Sequence, residues 1–299
     1  MTERISGLVL VSYGSHGVVR LEGGENLPCQ YRRQVGRPFC GDRVQVSLSE
    51  EDRGVVEEIM PRSNRFLRGD ARQRKHVVAV NLDQVAIVIA RKPLPSRDLL
   101  ERYLVAVHSL GIQPLIVLNK TDISDYDRSQ AGAAVFDRIE AYRSLGYTVV
   151  ETTCKAACGT DALVPQLRKR SSILVGQSGV GKSSLVRCLL PDIEVQTGAL
   201  SDATGKGTHT TTTTIMYSLP GGGYLIDSPG VWEFGLWKLE NHELESGFIE
   251  FRRHLGHCRF NDCRHLSEPA CAIKAAAGAG EILEWRYAAY CRLADQNRD

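Results

Sequence analysis

The 299-residue sequence predicts three parts in order: a small antiparallel β-barrel, a largely parallel α/β domain, and a short metal-stapled, mainly helical module. Three observations carry that expectation. Short β-rich runs separated by turn residues fill about the first 60 positions. A glycine-rich loop of phosphate-cradling form follows an apolar run past the middle of the chain. Three cysteines and a histidine crowd between Cys258 and Cys271. The expected divisions are 1–62 for the barrel, 63–80 for a basic linker, 81–245 for the α/β domain and 246–299 for the metal module.

Composition narrows the classes. An apolar share of 42% with 24% charged residues is ordinary for a globular protein, and 299 residues exceed a single typical domain. The net charge of +2 is too mild to identify a nucleic-acid binder, so any basic surface is local. The N-terminus lacks the charged start and apolar core of a leader, and no run approaches the roughly 20 apolar residues of a membrane span. A cytoplasmic protein with no membrane partner is expected. Nine cysteines, an odd number, fit metal ligation better than a disulfide framework.

In the barrel segment, ISGLVLVSYG, GVVRLEG, DRVQVSLS and RGVVEEIM alternate with Gly, Pro, Asn and Asp. The spacing fits a five-stranded barrel of the oligonucleotide-binding (OB) type, and a small SH3-like barrel gives nearly the same pattern. Next, PRSNRFLRGDARQRKH sets Arg62, Arg65, Arg68, Arg72, Arg74 and Lys75 against a single acid, Asp70. It reads either as a solvated connector or as a strip for a phosphate backbone.

After it come VAIVIA (85–90), PLIVLN (114–119), TVVET (148–152), SILVG (172–176) and YLID (224–227), the near-continuous apolar runs of buried parallel strands. Helical spacing in Asp98 to Ser109, Arg128 to Ser144 and Lys182 to Leu190 completes a βαβ pattern with both sheet faces covered.

The loop GQSGVGKS comprises Gly176, Gln177, Ser178, Gly179, Val180, Gly181, Lys182 and Ser183; it follows the strand SILV and opens the helix KSSLVRCLL. Its glycines let backbone N–H groups turn inward around phosphate oxygens, and the helix N-terminus adds partial positive charge. Lys182 is expected on the β- and γ-phosphates, Ser183 on Mg²⁺, and Ser184 closing the first helical turn. Base choice falls to NKTD, Asn119, Lys120, Thr121 and Asp122, at the carboxyl end of PLIVL. A carboxylate there accepts from both N1–H and the exocyclic amine of guanine, a donor pair that adenine lacks. Asn119 either contacts the O6/N7 edge or braces the phosphate loop, and Lys120 lays its stem over the ring. Thr153, Cys154 and Lys155 offer backbone N–H groups to guanine O6.

DSPG ends the strand YLI, placing Asp227 in the Mg²⁺ shell and the Gly230 N–H at the γ-phosphate. Between the two phosphate elements, GKGTHTTTTT holds the γ-phosphate-sensing threonine, Thr210 or Thr211; Thr210 is expected to be catalytic together with Lys182, and Thr211 to be a magnesium ligand. The position after Gly230, where many GTPases place a water-orienting glutamine, is Val231. His209 is the candidate for that task.

In Ras-like GTPases the motifs run phosphate loop, switch threonine, DxxG, NKxD, base-contacting loop. Here NKTD and Thr153 to Lys155 come first, then the phosphate loop, the threonines and DSPG. The cyclic order is kept and the cut has moved, so the fold class is a circularly permuted α/β P-loop GTPase domain. Cys258, Cys263, His265 and Cys271 have the spacing C-x4-C-x-H-x5-C, which suits one closed structural Zn²⁺. The other six cysteines read as ordinary thiols.

On NKTD, GQSGVGKSS, GTHTTT, DSPG and CRFNDCRHLSEPAC, the chain resembles over nearly its whole length the circularly permuted, small-subunit-dependent GTPases of bacteria. Thr208 departs from the arginine common in that position. The resemblance implies a cytoplasmic factor that takes GTP/GDP, Mg²⁺ and Zn²⁺, and acts in late maturation of the 30S ribosomal subunit. It implies contact with 16S rRNA through barrel and zinc module, GTP hydrolysis that is faster on the subunit, and the assigned roles of Cys258, Cys263, His265, Cys271, Asn119–Asp122, Gly176–Ser184 and His209. A monomer is expected. The alternative is an RNA-binding module that holds GTP as a static ligand.

Overall fold

The computed structural model describes residues 4–49, 53–69, 75–194, 196–197, 214–228 and 239–296. Strands β1 (Arg4–Ser12), β2 (His16–Leu21), β3 (Asn26–Tyr31), β4 (Arg43–Leu48) and β5 (Gly54–Ile59) close into a five-stranded barrel in the order β1-β2-β3-β5-β4, with β4 returning to β1. Only β3–β5 is parallel. That closure is the OB arrangement. Its interior is lined by Val9, Val19, Val44, Val46 and Val56, each at most 1% exposed. Strand β3, NLPCQY, was not among the expected runs; Pro28 interrupts its apolar pattern.

The basic segment is not a plain connector. Arg65–Gly69 (β6) and Lys75–Val80 (β7) form an antiparallel hairpin, with a register shift between Phe66 and Leu67 that hides its alternation. Arg62, expected in the charged strip, instead makes two 2.7 Å bonds to the fully buried carboxylate of Asp42 in the barrel. Asp70, Arg72 and Arg74 lie outside the described residues.

The second domain has strands β8 (Gln84–Ala90), β9 (Gln113–Asn119), β10 (Thr148–Glu151), β11 (Ser171–Val175), β12 (Ile215–Ser218) and β13 (Tyr224–Asp227), in the order β10-β9-β8-β11-β13-β12. All pair in parallel except β12, which is antiparallel to β13. Every residue of β8 is buried, as a strand covered on both faces requires. The chain enters at β8, steps outward to β9 and β10, then returns to β11 and proceeds the other way. That reversal between β8 and β11 is the topological switch at whose carboxyl edge ligands bind.

Helix α1 (Leu99–Ser109) covers one face. The expected helix over 128–144 is broken into a 3₁₀ turn, α2 (Ala134–Asp137) and α3 (Ile139–Ser144), because Arg138, with φ −108°, leaves the helical path. The turn α4 (Val164–Leu167) precedes β11, and α5 (Lys182–Leu189) packs Leu185, Val186 and Leu189 onto the other face.

The C-terminal module contains α6 (Asn241–Gly247), α7 (Ala272–Gly278) and α8 (Glu284–Gln296). Its Phe248, Phe251, Ile273 and Tyr290 belong to the same buried cluster as Leu100 and Leu104 of α1, so the module shares a core with the α/β domain.

Barrel and sheet are also continuous. β1 pairs with β12 at Val11 and Ile215, beside a bulge between Val9 and Val11, where β1 passes from its β4 partner to β12. Because Ile215 is itself opposite Asp227, the row Asp227, Ile215, Val11, Val18 runs from the sheet into the barrel.

Candidate functional site

The phosphate loop leaves β11 with Gly176 at φ 145°, where an added Cβ would sit 2.2 Å from the Val88 carbonyl oxygen. Gly181 has φ 98°, and a Cβ there would lie 2.4 Å from Asn119 Nδ2. Both positions therefore exclude a side chain, and the loop lies against neighbouring strand ends as a cradle for an oxyanion requires. Gln177 Nε2 donates to the Leu94 carbonyl at 3.0 Å. Val180, 1% exposed, anchors the loop in the core, while Ser178 and Gly179 are exposed.

The Lys182 ammonium donates to the carbonyls of Gly176 (2.6 Å) and Gln177 (2.8 Å), folded back over its own loop. Burial lowers its pKa to about 8, opposed by the charge of Asp227. Burial also raises the Asp227 pKa, against the pull of Lys182. The Lys182 ammonium and the Asp227 carboxylate thus act on each other's charge at the ends of β11 and β13. Ser183 and Ser184 stand exposed in the first turn of α5, and Thr214 and Ser228 hydroxyls meet at 2.8 Å beside Asp227.

The base-recognition turn is tied to the phosphate loop. Asn119 Nδ2 donates to the Val180 carbonyl at 2.9 Å, a contact that braces the phosphate loop. Its Oδ1 accepts from Thr152, a 1% exposed residue that the sequence reading passed over. Lys120 Nζ bonds the carbonyls of Gly179 (2.6 Å) and Lys92 (2.8 Å), and Thr121 Oγ1 bonds the Thr152 carbonyl at 3.2 Å. Asp122 receives the Thr153 hydroxyl at 2.6 Å and the Lys155 ammonium at 3.0 Å, and these donors hold its carboxyl below the usual range. An ionised acceptor at this edge is what the two guanine donors require. Thr153 and Lys155 thus reach Asp122 through their side chains.

His209, Thr210, Thr211, Gly230 and Val231 lie outside the described residues.

The four expected metal ligands converge: the Sγ atoms of Cys258, Cys263 and Cys271 and one nitrogen of His265 lie within 4.8 Å of one another. Cys258 Sγ is 3.9 Å from Cys271 Sγ, and His265 Nδ1 is 3.4 Å from both. Tetrahedral Zn–S bonds of about 2.3 Å put sulfurs about 3.8 Å apart, so spacing and donor set fit Zn²⁺. Glu245 of α6 holds His265 Nε2 at 3.0 Å, fixing Nδ1 as the inward nitrogen. Among the described residues no other such cluster occurs. All nine cysteines are free of disulfides.

Sequence reasoning also missed Glu245 and the loop Arg91–Leu94; the only trace of the latter was a proline-rich run directly after a buried strand.

The comparisons agree with this geometry. The model of the RsgA GTPase family matches residues 59–237. The chain is 44% identical over 292 residues to the small ribosomal subunit biogenesis GTPase RsgA of Hahella chejuensis, covering 96% of this chain and 83% of the relative. The protein of the same name from Paraburkholderia phytofirmans is 46% identical, covering 97% and 92%. Among solved structures, YjeQ from Thermotoga maritima superposes with a TM-score of 0.80 at 30% identity over 99% of each chain. YloQ, described as a circularly permuted GTPase, gives 0.78 at 27% identity over 99% of this chain and 96% of its own. With its motifs in permuted order at the edge of this sheet, a closed barrel before it and a Cys₃His cluster after it, the chain belongs to the RsgA GTPase family.

Proposed function

We propose that this GTPase acts in biogenesis of the small ribosomal subunit, hydrolysing GTP as a monomer in the cytoplasm and contacting 16S rRNA with its barrel and zinc module. The observation that supports the reading best is the bracing of base turn and phosphate loop by Asn119 and Lys120, which makes one guanine-nucleotide cleft of two distant motifs. In it Asp122 reads the base, with Thr121 and Asn119 shaping the turn. The backbone of Gly176 to Ser184 and the Lys182 ammonium take the phosphates.

Ser183, Thr211 and Asp227 would hold Mg²⁺, which neutralises phosphate charge during transfer. Thr210 and the Gly230 N–H sense the γ-phosphate, and His209 orients water in the place where Val231 cannot. Cys258, Cys263, His265 and Cys271 would hold one structural Zn²⁺, which staples a segment with little core of its own. Hydrolysis then times departure from the subunit.

The deciding experiment is multiple-turnover GTP hydrolysis with and without 30S subunits, beside co-sedimentation in GTP-analogue and GDP states. Stimulated turnover and nucleotide-dependent binding are expected. Binding that ignores the nucleotide, without turnover, would favour the static-ligand alternative.

A further inference from the structure

Four consecutive residues after β8 touch both halves of the nucleotide cleft. The Arg91 guanidinium packs against the rings of Tyr126 (5.4 Å) and Phe136 (5.9 Å), which themselves meet edge to face at 5.6 Å. From there Nη1 donates at 3.0 Å to the carbonyl of Ile123, the residue directly after Asp122. The carbonyl of Lys92 accepts from Lys120 Nζ, Pro93 lies over Gly179, and the carbonyl of Leu94 accepts from Gln177.

The base turn needs such support. Lys120 has φ 59°, a left-handed conformation that costs a non-glycine residue about 1 kcal/mol or more and persists only where surroundings fix it. Ile123 N closes the turn onto the Lys120 carbonyl at 3.0 Å, so Ile123 is its last hydrogen-bonded residue. Arg91 holds the carbonyl of that residue from outside. A planar guanidinium packed against two rings is fixed in direction as a lysine is not, and it spans the sheet edge from the end of β8 to the turn after β9.

We infer that Arg91 is a positioning residue for guanine selectivity: seated against Tyr126 and Phe136, it holds the Ile123 carbonyl and thereby sets where the Asp122 carboxylate meets the base. The inference rests on the reading of Asp122 as the guanine acceptor. Its signature is specific. A displaced Asp122 loses the exocyclic amine contact, so the penalty falls on guanine and spares hypoxanthine, which has no such amine. A general loosening of the fold weakens both alike.

The test measures GDP and IDP affinity of the full-length protein and of Arg91→Ala, Arg91→Lys and Asp122→Asn. For Arg91→Ala, the GDP dissociation constant is expected to rise about tenfold and that of IDP about twofold, shrinking the preference about fivefold, the scale of one ordinary hydrogen bond. Arg91→Lys keeps the charge without the planar fork and shrinks the preference in the same direction. Equal weakening of GDP and IDP, or an unchanged preference in both Arg91 variants, overturns the inference. Asp122→Asn tests the underlying reading separately: an amide accepts from N1–H and donates to the second oxygen of xanthine, so XDP should displace GDP as preferred ligand. If that switch fails, the base assignment fails; if it occurs while the Arg91 variants keep their GDP:IDP ratio, only the role of Arg91 fails.

Discussion

The barrel and the zinc-ligand module flank the same α/β domain, yet they are fastened to it by different chemistry. Both bury apolar side chains in the domain's core, Leu10, Val11 and Val18 from the barrel and Phe248, Phe251 and Tyr290 from the module. To this the barrel adds backbone pairing of β1 with β12 and a side-chain tie there, Arg20 to the Ser218 hydroxyl. The C-terminal module adds buried charge. Arg286, fully buried, bonds Glu250 at 2.5 and 3.1 Å, lies 3.9 Å from Glu101 of α1, and sits 4.5 Å above the Phe248 ring. Glu101 in turn receives the Tyr142 hydroxyl of α3, and Arg292 clasps Asp98 at 2.5 and 2.7 Å. A backbone pairing depends little on which side chains occupy it. A buried ion network depends on every partner, since removing one strands the others away from water.

The largest effect should come from the metal. Stripping the metal that the Cys₃His cluster would hold should remove on the order of 10 kcal/mol of folding energy from a segment with little core of its own. Hydrogen exchange should then show α7 and α8 losing protection while β1–β5 keep theirs. Equal loss in the barrel would break the contrast between the flanks. Next in size, Arg286→Ala should cost about 3–5 kcal/mol by denaturant unfolding, because Glu250 and Glu101 are left buried. Exchanging the pair, Arg286→Met with Glu250→Leu, should cost less than the single change, which separates the charge penalty from packing.

The cleft between the flanks serves as a control. In the free protein Lys182 has its pKa lowered to about 8 by burial. Bound phosphate favours the ammonium, so binding takes up a proton above that pH, and nucleotide affinity should fall about tenfold from pH 7 to 9. Isothermal titration at the two values checks it, and Lys182→Ala should abolish the slope. The smallest effect belongs to the barrel tie. Arg20→Ala should cost about 1–2 kcal/mol, since it removes two partly buried hydrogen bonds, to Ser218 and within the barrel to Asn26, while the β1–β12 pairing stays. A loss of about 3 kcal/mol or more would show that the side chain, not the backbone, carries this attachment.

What was legible in the sequence was whatever local spacing encodes. The phosphate loop, NKTD, DSPG and the Cys₃His set each keep their chemistry within a few residues, so their order exposed the permutation. The five apolar runs of the parallel strands matched the observed strands to within a residue or so. Elements defined by distant partners stayed hidden. β12, IMYS, is four residues behind a run of threonines, and only its place between β13 and β1 makes it a strand. The hairpin at 65–80 hid behind its charges and its register shift. Arg286 reads as a surface charge on a helix, and only Glu250, 36 residues away, explains its burial. Arg91 is similar, because its partners Tyr126 and Phe136 come from a segment whose own helix is broken.

The row through Asp227, Ile215 and Val11 has a consequence for dissecting the chain. Cutting between barrel and sheet would leave two ragged edges: the end of β1 beyond its bulge and the outer side of β12, each with unsatisfied amides and carbonyls. Exposed strand edges recruit other strands. Either half made alone should therefore self-associate unless its edge is blocked, for instance by a proline at Ile215. By backbone hydrogen bonding the barrel and the sheet are one piece of fabric with a fold in it, and the seam between them is woven rather than stitched.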